Sequence, residues 1–194
     1  MFHRAICWAR NARAWYSPHM STDDVLARLE KFEGRVPHMY RCTGGEVTIG
    51  IGHAIPTAAD ASKLTWESGT DGVAAGYAAV AAEPKGMVAS HYAPLTVCRM
   101  SNDAINQLAA ADIDTFTNQL QHTLPNWSAY PEPAQAALFD MAYNLGIGGL
   151  KKFPHMLAAV DAADWETAAQ QCHRNGIGES RNQETAALFR SCAG

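Results

Sequence analysis

The chain has 194 residues, of which 47% are hydrophobic and 18% charged, and its formal net charge at pH 7 is -4. This length fits one globular domain, and the apolar runs are much shorter than the roughly 20 residues of a membrane-spanning helix. The small negative charge argues against a nucleic-acid binder, which normally carries a basic face or stripe.

Residues 1–20 are predicted to be an N-terminal extension or linker. Their apolar segment, residues 5–9, is too short for the hydrophobic core of a signal peptide, so we expect synthesis in the cytoplasm. The five cysteines of the chain are widely spaced and include no Cys-x-x-Cys pair. This pattern favours free thiols over a zinc site or a dense disulfide framework.

The first helix is predicted to begin at Ser21 or Thr22, with acidic residues in its first turn, and to end before Gly34. From Tyr40 to His53 the pattern changes to a glycine-containing turn followed by alternating residues, which indicates a small β-hairpin. Residues 54–99 show weak periodicity and predict short helices with long loops.

The second half of the chain is predicted to be helical. Ser101 caps a long helix that ends before Pro125, and another helix follows Pro131 and closes at Gly146. Three further helices are predicted, with starts marked by the following features: Pro154, Asp164, and a capping box of Ser180 with Gln183. The sequence therefore predicts a mainly α fold with a small antiparallel β-hairpin.

Glu33 stands out because it is an acid at the C-terminal end of a helix, where the helix dipole disfavours negative charge. Partial burial behind Phe32 would act in the same direction, so both effects favour the protonated form that a general acid needs. Taken alone, Glu33 fits a solvated glutamate at a frayed helix end better than a general acid. Its spacing to later residues is more specific, since eight residues separate it from Cys42 and five separate Cys42 from Thr48.

A longer pattern contains these three residues: Glu33-Gly34, Tyr40, Cys42, Gly45 and Thr48-Ile49-Gly50-Ile51-Gly52-His53. It resembles the signature of the bacteriophage-type lysozymes, or endolysins, of glycoside hydrolase family 24, in which a glutamate, an aspartate or cysteine, and a threonine have this spacing. Residues 137–146, 164–169 and 180–189 are similar to that family's cleft-lining helix, the helix after it and its arginine-bearing last helix. The likeness covers residues 21–194, with 54–99 matching poorly.

The resemblance implies an α+β lysozyme-like fold of two lobes, 21–100 and 101–194, joined by a long helix with the active-site cleft between them. It further implies hydrolysis of the β-1,4 bond between N-acetylmuramic acid and N-acetylglucosamine in peptidoglycan, without a cofactor or metal. Glu33 would be the general acid, and Cys42 and Thr48 would act on the opposite face of the sugar. Cys42 stands where many members have aspartate, and it could act as a thiolate nucleophile, a water-positioning group or a spectator.

The resemblance also assigns residues around the catalytic group. Arg181 would reach across the cleft to Glu33; the alternative is an exposed arginine that pairs with Glu184 or with water. Tyr143, Asn144 and Gln171 match substrate-binding positions that line the saccharide cleft. His53 is expected to have a structural place and no chemical role.

Two other functions are compatible with the sequence. Cys42 with His53 or His38 could form a Cys/His peptidase that acts on the peptide stems of peptidoglycan. Alternatively, the chain could be a glycan-binding module that has lost turnover because of Cys42.

The expected setting is the bacterial cell wall, which the protein would reach in the periplasm after release or specialised secretion. A phage endolysin and an antibacterial effector fit equally well. We expect a monomer that binds peptidoglycan glycan strands, and the sequence does not identify an immunity or secretion partner.

Overall fold

The computed structural model describes residues 21–193, so the predicted extension over 1–20 and Cys7 lie outside the described residues. The elements are, in chain order: α1 Thr22–Glu33, β1 Val36–Arg41, β2 Val47–Gly50, β3 His53–Ile55, α2 Ala58–Ala61, α3 Val73–Ala82, α4 Ala89–Tyr92, α5 Asn102–Thr123, α6 Glu132–Leu150, α7 Pro154–Asp161, α8 Trp165–Gln171 and α9 Glu179–Arg190. This confirms the predicted fold class, mainly α with a small antiparallel sheet.

Helix α1 has the predicted limits because both of its ends are capped. The Ser21 hydroxyl accepts a hydrogen bond from the Asp24 amide at 3.1 Å, which satisfies one free N–H of the first turn. At the other end, Gly34 has a positive φ of 73° and donates its N–H to the Glu30 carbonyl at 2.9 Å. Glu33 is therefore the last residue of α1, as predicted.

The sheet has three antiparallel strands in the order β1-β2-β3, where the sequence predicted one hairpin. Strand β1 begins at Val36, four residues before the predicted start, and its pairing with β2 is irregular between Val36 and Tyr40. Because of this irregularity and of Pro37, the start of β1 does not show the strict alternation of apolar and polar residues that predicts a strand. In β2, Val47 and Ile49 point into the core.

Short helices connect the sheet to α5, as expected for residues 54–99. Helix α4 is anchored by Tyr92, whose buried hydroxyl donates to the carbonyl of Pro84 at 2.5 Å and lies 3.1 Å from that of Arg41. The Arg41 guanidinium in turn donates to the Glu83 carbonyl at 2.6 Å. These contacts attach α4 and the loop before it to the end of β1.

The long helix α5 starts after its N-cap, Ser101, and ends before Pro125, as predicted. It packs against α1, β2 and β3 and also against α6. The division of the chain into lobes at residue 100 stays a prediction. No helix within residues 21–193 has the length and apolar character needed to cross a membrane, and the four cysteines of this part are free thiols.

Helices α6 and α9 differ from the prediction at one end each. Helix α6 is interrupted at Gly146, the predicted end, but resumes and continues to Leu150. The predicted capping box of Ser180 with Gln183 is wrong, because α9 begins at Glu179 after Gly178. Both side chains instead pair along the helix: Ser180 donates to Glu184 at 3.3 Å and Gln183 to Glu179 at 3.1 Å.

Candidate active site

One face of the sheet carries two of the predicted catalytic residues, Cys42 and Thr48. The strand register pairs Tyr40 with Thr48 and Thr48 with Ala54, and the Cys42 amide donates to the Glu46 carbonyl at 3.0 Å. Because residues opposite each other, and residues two apart, share a face of an antiparallel sheet, these five side chains lie on one side. The opposite side of the sheet faces the core.

This sheet face borders a cleft of about 630 Å³. The far wall comes from α6 and the loop before α9, and the end of α1 closes one side. Besides the five sheet residues, the lining includes Glu33, Gly52, Tyr143, Asn144, Gly146 and Ile177. The fold therefore brings Glu33, Cys42 and Thr48 to one cleft.

Glu33 is paired with Arg181 across the cleft, as predicted. Arg181 Nη1 donates to Glu33 Oε1 at 2.7 Å, and the exposed fractions of the two side chains are 8% and 23%. The guanidinium also lies 5.0 Å from the centre of the Phe32 ring, within cation–π range. The alternative partner of Arg181, Glu184, is instead bound to Lys31 at 2.7 Å.

Behind this pair lies a buried ionic network centred on Asp140, which is only 1% exposed. Arg181 Nε donates to Asp140 Oδ1 at 3.0 Å, while Arg174 and the Thr185 hydroxyl donate to Oδ2 at 2.9 and 3.1 Å. Arg28 lies 3.9 Å from the same carboxylate. Burial by itself would raise the pKa of Asp140, but the charges and hydrogen bonds of the arginines hold it below its ordinary value.

No role was predicted for Asp140 or Arg174 from the sequence. The signal for Asp140 was a charged residue in the apolar run Leu138 to Ala142, since a lone acid in a buried helix face requires a cationic partner. No comparable signal marks Arg174, which lies in the loop between α8 and α9.

Cys42 and Thr48 are linked through Glu46. Thr48 is 4% exposed, and its hydroxyl donates to the Glu46 carbonyl at 3.2 Å. The Cys42 thiol donates to Glu46 Oε2 at 3.1 Å. No role was predicted for Glu46 from the sequence, although its position two residues before Thr48 predicts that both side chains share one face of the sheet.

Two of the three predicted substrate-binding residues, Tyr143 and Asn144, line the cleft. Tyr143 lines the cleft, but its hydroxyl donates to the Ile51 carbonyl at 2.6 Å and its ring packs 5.1 Å from that of Phe116. Burial raises the pKa of Tyr143 far above its usual value, so the hydroxyl stays a donor. Asn144 lines the cleft with its side chain half-buried.

Gln171 does not line this cleft, contrary to the prediction. It is the last residue of α8, and its side chain is exposed to solvent. Helix α8 packs against α7 and α9 through buried residues such as Ala168 and Ala169, which leaves Gln171 on the outer side. The structure thus does not bring this amide to Glu33.

The Glu33 side chain packs directly against the backbone of Gly52, so replacing this glycine tests whether the contact positions Glu33. Gly52 has a φ of +77°, and a Cβ there would lie 3.1 Å from Glu33 Cγ. We expect Gly52→Ala to lower both stability, by about 1–2 kcal/mol, and hydrolytic activity, by displacing Glu33. Unfolding and cell-wall digestion of the purified variant measure the two effects.

Gly69 provides the matched control for this test. It has the same φ of +77°, but no described atom outside its chain neighbours lies within 4 Å of a Cβ built there. Gly69→Ala should therefore lower stability by a similar amount, because alanine also disfavours this positive φ, and it should keep full activity. Equal activities of the two variants would show that contact with Gly52 does not position Glu33.

Known proteins are similar to this chain over most of its residues. The family described as Phage lysozyme matches residues 30–190. The chain is also 29% identical over 154 residues to the pre-baseplate central spike protein Gp5 of Enterobacteria phage T4, an alignment that covers 78% of this chain and 24% of Gp5. This chain thus spans about a quarter of the length of that relative. Since the family match covers most of its residues, the chain belongs to the phage lysozyme family.

Proposed function

We propose that this chain is a muramidase, which hydrolyses the β-1,4 bond between N-acetylmuramic acid and N-acetylglucosamine in peptidoglycan. The observation that carries the proposal is the pairing of Glu33 with Arg181 in a cleft whose other wall presents Cys42 and Thr48. Membership of the phage lysozyme family supports the same class of reaction.

In this proposal Glu33 is the general acid. Its proton goes to the glycosidic oxygen, the bond from that oxygen to the anomeric carbon breaks, and the electron pair stays on the oxygen. Arg181 holds Oε1 of the carboxyl group, so the proton is carried on Oε2. The buried hydrogen bond that Arg181 Nε donates to Asp140 Oδ1 holds the guanidinium in place, so Glu33 is already oriented before substrate binds.

The contacts of the histidines argue against the peptidase alternative. A Cys/His peptidase needs an imidazole within hydrogen-bonding reach of the thiol. His38 Nε2 lies 2.8 Å from the Ala89 carbonyl, and His53 Nδ1 lies 2.9 Å from Asp112. The Cys42 thiol instead has the Glu46 carboxylate beside it.

Digestion of purified peptidoglycan separates the candidate functions. A muramidase releases new reducing ends without new amines, whereas a peptidase releases amines. A glycan-binding module without turnover would bind the wall, release neither, and fail to lyse chloroform-permeabilised Gram-negative cells at any pH. We expect new reducing ends and lysis, and release of amines alone would contradict the proposal.

For the biological setting, we propose action on the bacterial cell wall as a phage endolysin or an antibacterial effector. The Cys42-for-aspartate substitution belongs to this proposal as well, since the family match does not test the role of that position. The genes that flank the coding sequence distinguish the two settings, because an endolysin gene lies among phage lysis genes.

A further inference from the structure

We propose that Glu46 is the second catalytic carboxylate of this site, acting as general base on the attacking water, and that the Cys42 thiol positions it. The inference rests on the proposed muramidase function. It assigns to Glu46 the task that an aspartate at the position of Cys42 would perform, and it makes Cys42 a positioning residue.

The hairpin turn places the two side chains together. Cys42 and Glu46 face each other where the β1–β2 turn closes, with the Cys42 amide bonded to the Glu46 carbonyl at 3.0 Å. The thiol then donates to Glu46 Oε2 at 3.1 Å. Both side chains line the cleft that contains Glu33, so the carboxylate lies beside the position of the missing aspartate.

The turn residue Gly44 leaves room for this carboxylate. A Cβ at Gly44 would overlap Glu46 Oε2 and lie 3.3 Å from Glu46 Cδ. The glycine therefore lets the carboxylate lie over the turn backbone, within reach of the thiol. The Glu46 side chain is otherwise exposed, which gives water access to it.

The surroundings of Glu46 favour its charged form. The hydrogen bond from Cys42, the backbone amide of Glu46 and the charge of Lys85 lower the pKa of Glu46, and they outweigh the opposing effect of burial. In this hydrogen bond the thiol is the donor and the carboxylate the acceptor. The base of the pair is thus Glu46.

The proposed step is balanced as follows. Glu33 gives its proton to the glycosidic oxygen as the bond to the anomeric carbon breaks, and the water oxygen bonds to that carbon from the opposite face. Glu46 takes one proton from the water, which leaves the sugar with a new hydroxyl. Glu33 ends as a carboxylate and Glu46 as an acid, and exchange with solvent restores both.

The first test is Glu46→Gln, which keeps the size of the side chain but removes the base. We expect kcat for release of reducing ends to fall by about 10²-fold or more with little change in KM. The thermal unfolding midpoint should not change, because the side chain is exposed. The control is Glu67→Gln, at an exposed glutamate outside the cleft, which should keep wild-type kcat.

The second test moves the carboxylate from position 46 to position 42. Cys42→Asp added to Glu46→Gln should raise kcat at least tenfold above that of Glu46→Gln alone. Cys42→Ala should lower kcat, and Cys42→Ser, which keeps a donor, should recover most of it. Rescue of Glu46→Gln by Cys42→Asp would not occur if Glu46 served only to hold the turn.

Two results would overturn the inference: wild-type kcat in Glu46→Gln, or a loss that Cys42→Asp does not restore. Either would leave the muramidase function standing, provided that the wild-type chain releases reducing ends. If the wild-type chain released none, the proposed function itself would fail.

Discussion

Glu33→Gln is expected to lower the rate of peptidoglycan hydrolysis by about 10²–10⁴-fold, the usual contribution of a general acid. Glutamine has nearly the same shape and can still accept the hydrogen bond from Arg181 Nη1, which spans 2.7 Å in the wild-type chain. The fold should therefore persist, and the loss should lie in kcat. Release of reducing ends from purified peptidoglycan measures it.

The matched control is Glu30→Gln, one turn earlier on α1. Glu30 pairs with Arg35 through two hydrogen bonds of 2.9 and 2.8 Å and does not line the cleft. Its replacement removes the same charge from the same helix and should leave hydrolysis unchanged. Full activity in Glu33→Gln would refute the assignment of the general acid.

Asp140→Asn is expected to cause the largest loss of stability, about 3–5 kcal/mol in the free energy of unfolding. The carboxylate is 1% exposed and balances two buried arginines, Arg174 and Arg181, whose side chains are 1% and 8% exposed. Asparagine removes the negative charge and leaves both cations buried without it. Denaturant unfolding at pH 7 measures the difference.

The pH dependence of this loss follows from the direction of the pKa shift. The pKa of Asp140 is lowered in the folded chain. Its contribution to the free energy of unfolding is therefore complete above the pKa of the unfolded chain, about 4, and is lost as the pH falls through the pKa of the folded chain. The stability gap between the wild-type chain and Asp140→Asn should therefore be constant near neutral pH and narrow in strong acid. A gap that widened in acid would contradict this account.

The control for Asp140→Asn is Glu166→Gln, which breaks a surface ion pair. Glu166 accepts from Arg190 Nε at 2.9 Å, but both side chains are more than half exposed. Because water and salt screen exposed charges, this change should leave stability nearly unchanged. Equal losses in the two variants would show that the Asp140 network contributes no more than a surface pair.

The amino-acid sequence determined the features that depend on neighbouring residues. Ser21 and Gly34 set the two ends of α1, so the position of Glu33 as its last residue followed from local chemistry. The alternation after Val47 predicted a strand that contains Thr48. The spacing of Glu33, Cys42 and Thr48 then indicated the family through its resemblance to a known signature.

The tertiary structure decided which distant groups meet. Arg181 and Glu33 are 148 residues apart, and their pairing depends on how α9 packs, whereas the resemblance only implied it. Packing likewise left Gln171 outside the cleft and buried Asp140 among arginines. The link from Cys42 to Glu46 required the exact closure of a turn. Local propensity specifies where helices and strands begin and end, but a long-range ion pair forms only where the packed core brings both partners together.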